Sequence, residues 1–223
     1  MKKILFALIA LIATAASAAP TNGGSVYLGY REKDITFGKL SSPLAAYVAD
    51  ANYRLGSFRV GTVIQNNLSL KDSSMYQADL IGGYTFFSTL ADVEIGTQYV
   101  TKFKTETLDK KNHNRPFVLV TKGWFSVRGT VDLESQTTNI EGAFTKTTPL
   151  FFGVGLLTSI HAGYTDANDA IPRTVKEIKY TNAYYGGSAD LVYRIFNAGI
   201  YTVHTGLTSK YTTGWRVGTT LKF

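Results

Sequence analysis

The sequence closes with GWRVGTTLKF, residues 214–223, and the reading of this stretch decides the fold. In an extended chain Trp215, Val217, Thr219, Leu221 and Phe223 share one face. Gly214, Arg216, Gly218, Thr220 and Lys222 share the other. Period two with one apolar face marks a strand whose two sides meet different media. The last residues of a water-soluble domain fray and seldom hold large apolar side chains. An apolar face carried through to Phe223 therefore asks for an apolar medium outside the chain.

The opposite end supports export. MKKILFALIALIATAASAA has charged Lys2 and Lys3, an apolar run from Ile4 to about Ala13, and Ala16-Ser17-Ala18 after it. This pattern predicts a cleaved secretory signal over residues 1–18, with the mature chain over 19–223. The alternative, a membrane anchor, needs a longer apolar core. Removing the signal takes two lysines and no acids, so the formal charge falls from +7 to +5. The absence of Cys excludes disulfides, a lipid-anchored cysteine and thiolate metal sites. Fourteen Tyr, 13 Phe and 21 Gly against five Pro make a strand-rich composition in a single domain.

Working back from the closing strand, the same alternation recurs. MYQADLIGGYTF (75–86) puts Tyr76, Ala78, Leu80, Gly82, Tyr84 and Phe86 on one side, with Gln77, Asp79 and Thr85 on the other. ADVEIGTQYV (91–100) repeats the pattern, as do stretches starting at Ala46, Ser57, Trp124 and Tyr184. Apolar residues occupy both faces in stretches near 115–122, 139–146 and 149–164. Short turns are expected near Gly56, Ser88, Gly123, Pro149 and Asn197. Longer connections are expected over about 32–43, 66–74, 102–115, 135–139, 165–179 and 208–212. The sum is an all-β, transmembrane antiparallel β-barrel of about twelve strands, with ten to fourteen in range.

Aromatic placement fits such a barrel. Tyr53, Phe58, Tyr84, Phe86, Phe125, Phe144, Tyr193 and Phe223 fall beside the short turns. Tyr47, Tyr76, Tyr99, Phe117, Tyr164, Tyr185, Tyr211 and Trp215 fall near the long loops. Two bands match rings seated at two lipid–water interfaces. A soluble β-sandwich, the alternative, needs no such matching at both strand ends.

The closing strand resembles the assembly signal of bacterial outer-membrane β-barrels, in which alternate apolar residues end in Phe. That resemblance implies recognition of Trp215, Val217, Thr219, Leu221 and Phe223 by the barrel-insertion machinery, and a bacterial outer-membrane location. About twelve strands, YREK (30–33) in the first strand and RVG (216–218) in the last are similar to the small monomeric oligogalacturonate-type porins. That likeness implies passage of acidic oligosaccharides through a basic pore.

Residues opposite the lipid face form the expected pore lining: Arg31, Asp50, Arg54, Arg59, Asp79, Asp92, Glu94, Arg128, Asp132, Glu134, Asp190, Arg194 and Arg216. Barrel closure brings the Arg31 and Arg216 strands together, with Arg54, Arg59 and Arg194 nearby, while Asp79, Asp92, Glu94, Asp132 and Glu134 lie elsewhere. Two readings follow. Facing basic and acidic walls would orient dipolar solutes across a wet lumen. In a narrow lumen the same groups would pair into a plug. The near balance of charge departs from a uniformly basic lining.

Lys102, Lys104, Lys110, Lys111, Arg115, Lys176, Lys179 and Lys210 read as outer-loop cations, facing lipopolysaccharide or water. Ser159 and His161 share a strand face, but their Ser-x-His order reverses the pair of outer-membrane phospholipases, and no enzyme is expected. His113 and His204 read as isolated, so neither a metal site nor a cofactor is expected. An exported barrel does not meet nucleic acid. The expected function is a channel for passive diffusion of small hydrophilic solutes, acidic or dipolar ones included. The alternatives are a closed barrel acting as an adhesin or lipopolysaccharide-contacting protein, and an outer-membrane lipid hydrolase.

Overall fold

The computed structural model describes residues 22–32, 34–36, 39–42, 46–67, 75–104, 110–169, 178–206 and 209–223. The expected signal, residues 1–18, lies outside them. The strands are β1 (Gly23–Arg31), β2 (Asp34–Thr36), β3 (Lys39–Ser42), β4 (Ala46–Leu55), β5 (Phe58–Asn67), β6 (Met75–Phe86) and β7 (Asp92–Lys104). They continue with β8 (Lys110–Lys122), β9 (Phe125–Asp132), β10 (Thr137–Pro149), β11 (Val154–Asp169), β12 (Ile178–Tyr193), β13 (Phe196–Thr205) and β14 (Lys210–Lys222). Twelve of them, β1 and β4–β14, close an antiparallel barrel, while β2 and β3 form a separate hairpin in the β1–β4 connection.

Closure is made by the last strand, which holds residues 214–222. β14 pairs with β1 from Lys222 opposite Ser25 to Arg216 opposite Arg31. Phe223 and Gly24 then exchange both backbone hydrogen bonds, at 2.7 and 3.1 Å. With β1 also paired to β4, no barrel strand keeps an open edge.

Alternation sets the two faces. Leu80, Ile95, Ile140, Ile160, Leu191 and Ile200 are exposed on the outside, while their chain neighbours Asp79, Glu94, Asn139 and Asp190 are buried inside. A ten-residue strand rises about 33 Å, and a tilt of about 40° lowers this to about 25 Å, the height of a membrane barrel's apolar band. Aromatic rings join into contacts at both rims. At the turn end Phe58 meets Tyr84 at 4.9 Å, Tyr84 meets Phe86 at 4.9 Å, and Phe125 meets Phe144 at 4.9 Å. At the loop end Trp215 packs on Tyr30 at 4.9 Å, and Tyr185 stacks on His204 at 4.9 Å.

Several boundaries depart from expectation. The last short turn is Arg194–Ile195, not Asn197, and Arg194 takes a left-handed backbone with φ 53°. Turn chemistry favours Asn for that geometry, which is why Asn197 reads as the turn. Gly56 and Gly123, both at φ 60°, sit in two-residue turns as expected. The loops are shorter than expected: β7 runs to Lys104, β11 reaches Asp169, and β8 and β12 resume at Lys110 and Ile178. At these ends the alternation of apolar and polar residues lapses in the sequence, so nothing there marks the ladder that continues.

Candidate functional site

The inward residues meet in short-range groups. Glu94 on β7 is buried and accepts from Arg59 Nε at 2.9 Å and Arg54 Nη2 at 3.3 Å. Arg54 also donates to Thr85 at 2.8 Å. A second group centres on Asp79, which accepts from Gln98 at 2.7 Å and Gln77 at 3.0 Å, while Arg128 donates to Gln98 at 3.1 Å. A third pairs Arg216 with Asp190 through two guanidinium nitrogens, at 2.7 and 2.5 Å, and with Ser188 at 3.0 Å. A fourth joins Asp132 to Arg115 at 2.8 Å and to His113 at 3.1 Å. Asp50 accepts from Asn52, and Asp92 lies half-buried two residues from Glu94.

These groups revise the sequence reading in four places. Glu134 sits in the turn Leu133–Gln136 and is exposed, away from the pore lining, whereas Arg194, in the turn Arg194–Ile195, stays at the mouth of the lumen. Arg115 is no loop cation: it lies within β8, 8% exposed, against Asp132. Phe117, expected in the outer aromatic band, points inward at 3% exposure, and the Arg128 guanidinium lies 4.5 Å from its ring centre. His113 is not isolated but faces Asp132, whereas His204 stands outside between Tyr185 and Tyr211. Of the other expected loop cations, Lys176 lies outside the described residues, while Lys102, Lys104, Lys110, Lys111, Lys179 and Lys210 belong to strand ends.

Three inward tyrosines were missed by the charge-based reading. A Cβ placed at Gly29 would stand 2.0 Å from the Tyr27 hydroxyl, and one at Gly218 would stand 2.4 Å from the same ring. Gly163 stands in the same relation to Tyr184, at 2.3 Å, and Gly214 to Tyr201, at 2.4 Å. Each ring therefore lies flat along the wall over a glycine. The sequence holds the signal: each tyrosine lies in an alternating strand, with a glycine two residues along it or on the paired strand.

The Arg216–Asp190 group borders a cavity of about 740 Å³ that runs inward from the turn end. Arg31, Arg194, Arg216 and Lys222 line it with Asp190 and Tyr27. Four cations against one carboxylate give this vestibule a positive potential. Deeper in, the lumen narrows: Val100, Phe117, Tyr184 and Val203 are all buried. Ser159 and His161 both face inward. The Ser159 hydroxyl lies 3.1 Å from that of Thr145, and the His161 ring packs 6.4 Å from Tyr184.

No family model matches the chain, and no curated protein matches it. Among solved structures, the chain is similar to one reported under "Unveiling the Mechanism Behind the in-meso Crystallization of Membrane Proteins". The identity is 12%, the alignment covers 91% of this chain and 83% of the other, and the TM-score is 0.51. The likeness is one of fold. The closed barrel is thus of a type found among membrane proteins, while the similarity to oligogalacturonate-type porins rests on YREK and RVG alone.

Proposed function

We propose that the chain is an outer-membrane β-barrel whose lumen is a narrow channel for passive diffusion of small hydrophilic solutes. The observation that carries this reading is the 740 Å³ vestibule, enclosed by a barrel with a polar inside and an apolar outside. An apolar belt around the whole circumference is costly in water and stabilising in lipid. The Tyr27 ring lies against the wall of the vestibule, over Gly29 and Gly218.

The mechanism is passive. The vestibule's Arg31, Arg194, Arg216 and Lys222 concentrate small anions at one mouth. The narrower segment around Phe117 and Arg128 excludes by size, and its paired charges bias passage weakly by sign. Acidic oligosaccharide, the solute implied by the porin resemblance, is one member of the class this mouth attracts. The buried deeper segment favours a second reading, a closed barrel acting through its loops. Liposome swelling separates the two. Vesicles with the refolded barrel should swell in small sugars and small organic anions, with rates falling steeply as the solute grows. Swelling no faster than that of empty vesicles would overturn the channel.

A further inference from the structure

We propose that His113, Asp132 and Glu134 form a binding site for one borderline divalent cation, of the zinc, cobalt or nickel kind, at the loop end of the barrel. One potential ligand atom from each residue lies within 4.8 Å of the others. The inference does not depend on whether the lumen conducts.

The local fold brings these residues together. The Leu133 N–H donates to the Asn114 carbonyl at 3.0 Å, carrying the β8–β9 ladder past the strand ends. That extension sets His113 on one side beside Asp132 and Glu134 on the other. His113 Nδ1 already faces the Asp132 carboxylate, at 3.1 and 3.2 Å from its two oxygens. A cation seated there would replace a shared proton between the same atoms. Glu134, exposed on the turn, accepts from the Asn114 N–H through Oε2 at 2.6 Å, which leaves Oε1 for an ion.

The surroundings resemble the support that ligating carboxylates receive around metal ions. Asp132 is 2% exposed. Arg115 Nε holds its Oδ2 at 2.8 Å, and the Ser135 N–H holds its Oδ1 at 3.1 Å. Two carboxylates against the Arg115 cation leave one net negative charge with neutral His113, so a dication is attracted. An imidazole with two carboxylates suits zinc-like ions and leaves a position for water. Calcium, which takes about six to eight oxygens, is poorly served by this set. The bound ion would tie β8 to the β9–β10 turn and brace the rim.

The test is a Co²⁺ titration of the tag-free, refolded barrel in detergent, read by visible d–d absorption and calorimetry. One Co²⁺ per barrel is expected, displaced by Zn²⁺. His113→Ala and Glu134→Gln should each weaken binding at least about tenfold, and His204→Ala should leave it unchanged. Glu134 is exposed on a turn, so its variant keeps the fold, as heat-modified gel mobility would verify. Absence of saturable one-to-one binding would overturn the site. So would unchanged affinity in both ligand variants.

Discussion

Asp132 is held at 2% exposure by Arg115 and His113, and such a carboxylate is stable only while its partners remain. Removing one member of a buried pair strands the other charge, at a cost of about 3–5 kcal/mol. Arg115→Met should therefore lower barrel stability by about 3 kcal/mol, His113 softening the loss, measured by urea unfolding in detergent. Arg115→Met combined with Asp132→Leu should recover much of it, because the stranded charge is gone. Glu94 holds a different balance, since it answers both Arg54 and Arg59. Glu94→Gln leaves two guanidinium groups facing the lumen without their carboxylate. The variant should shift the reversal potential further toward anions, and an unchanged potential would remove this group from the conducting path.

At the scale of elements, the tyrosine-over-glycine contacts decide how much lumen the strands leave open. A Cβ at Gly163 would lie 2.3 Å from the Tyr184 ring, so Gly163→Val must push that ring off the wall. Overpacking of this kind costs about 1–3 kcal/mol. The variant should unfold at lower denaturant and, where folded, admit solutes more slowly in liposome swelling. The closing strand carries a second prediction. Phe223 and Gly24 seal the β1–β14 seam, and the Phe223 ring stacks 6.5 Å from Tyr53. Deleting Phe223 should reduce the folded, membrane-inserted yield in cells several-fold while refolding in detergent suffers less. Equal losses in both would make Phe223 a packing residue and not an assembly signal.

These elements also show what the sequence could reveal. Strand alternation was plain in β4, β6 and β14, whose faces and number follow from period two. Face, however, is not height. Arg54, Arg59 and Glu94 read as members of separate walls, yet register sets them in one group. Arg115 read as a loop cation because β8 passes beyond its alternating segment. Phe117 followed the aromatic count outward, although its neighbours Pro116 and Val118 fill the outer positions. The Asp132 group was hidden because His113 and Glu134 are 21 positions apart and meet only through the β8–β9 register.

At the scale of the whole molecule, three features combine: an apolar outside, a closed seam and an inside whose charges pair along its wall. In the proposed channel, paired charges would leave weak selectivity in the narrow segment, and the vestibule's excess of cations would give a mild preference for anions at one mouth. The most direct test is single-channel recording of the refolded barrel in a planar bilayer under a salt gradient. The account predicts small, discrete conductance steps with a reversal potential leaning toward anions, and loss of that lean in Arg31→Ala or Arg216→Ala. A folded and inserted barrel that stays silent would contradict it.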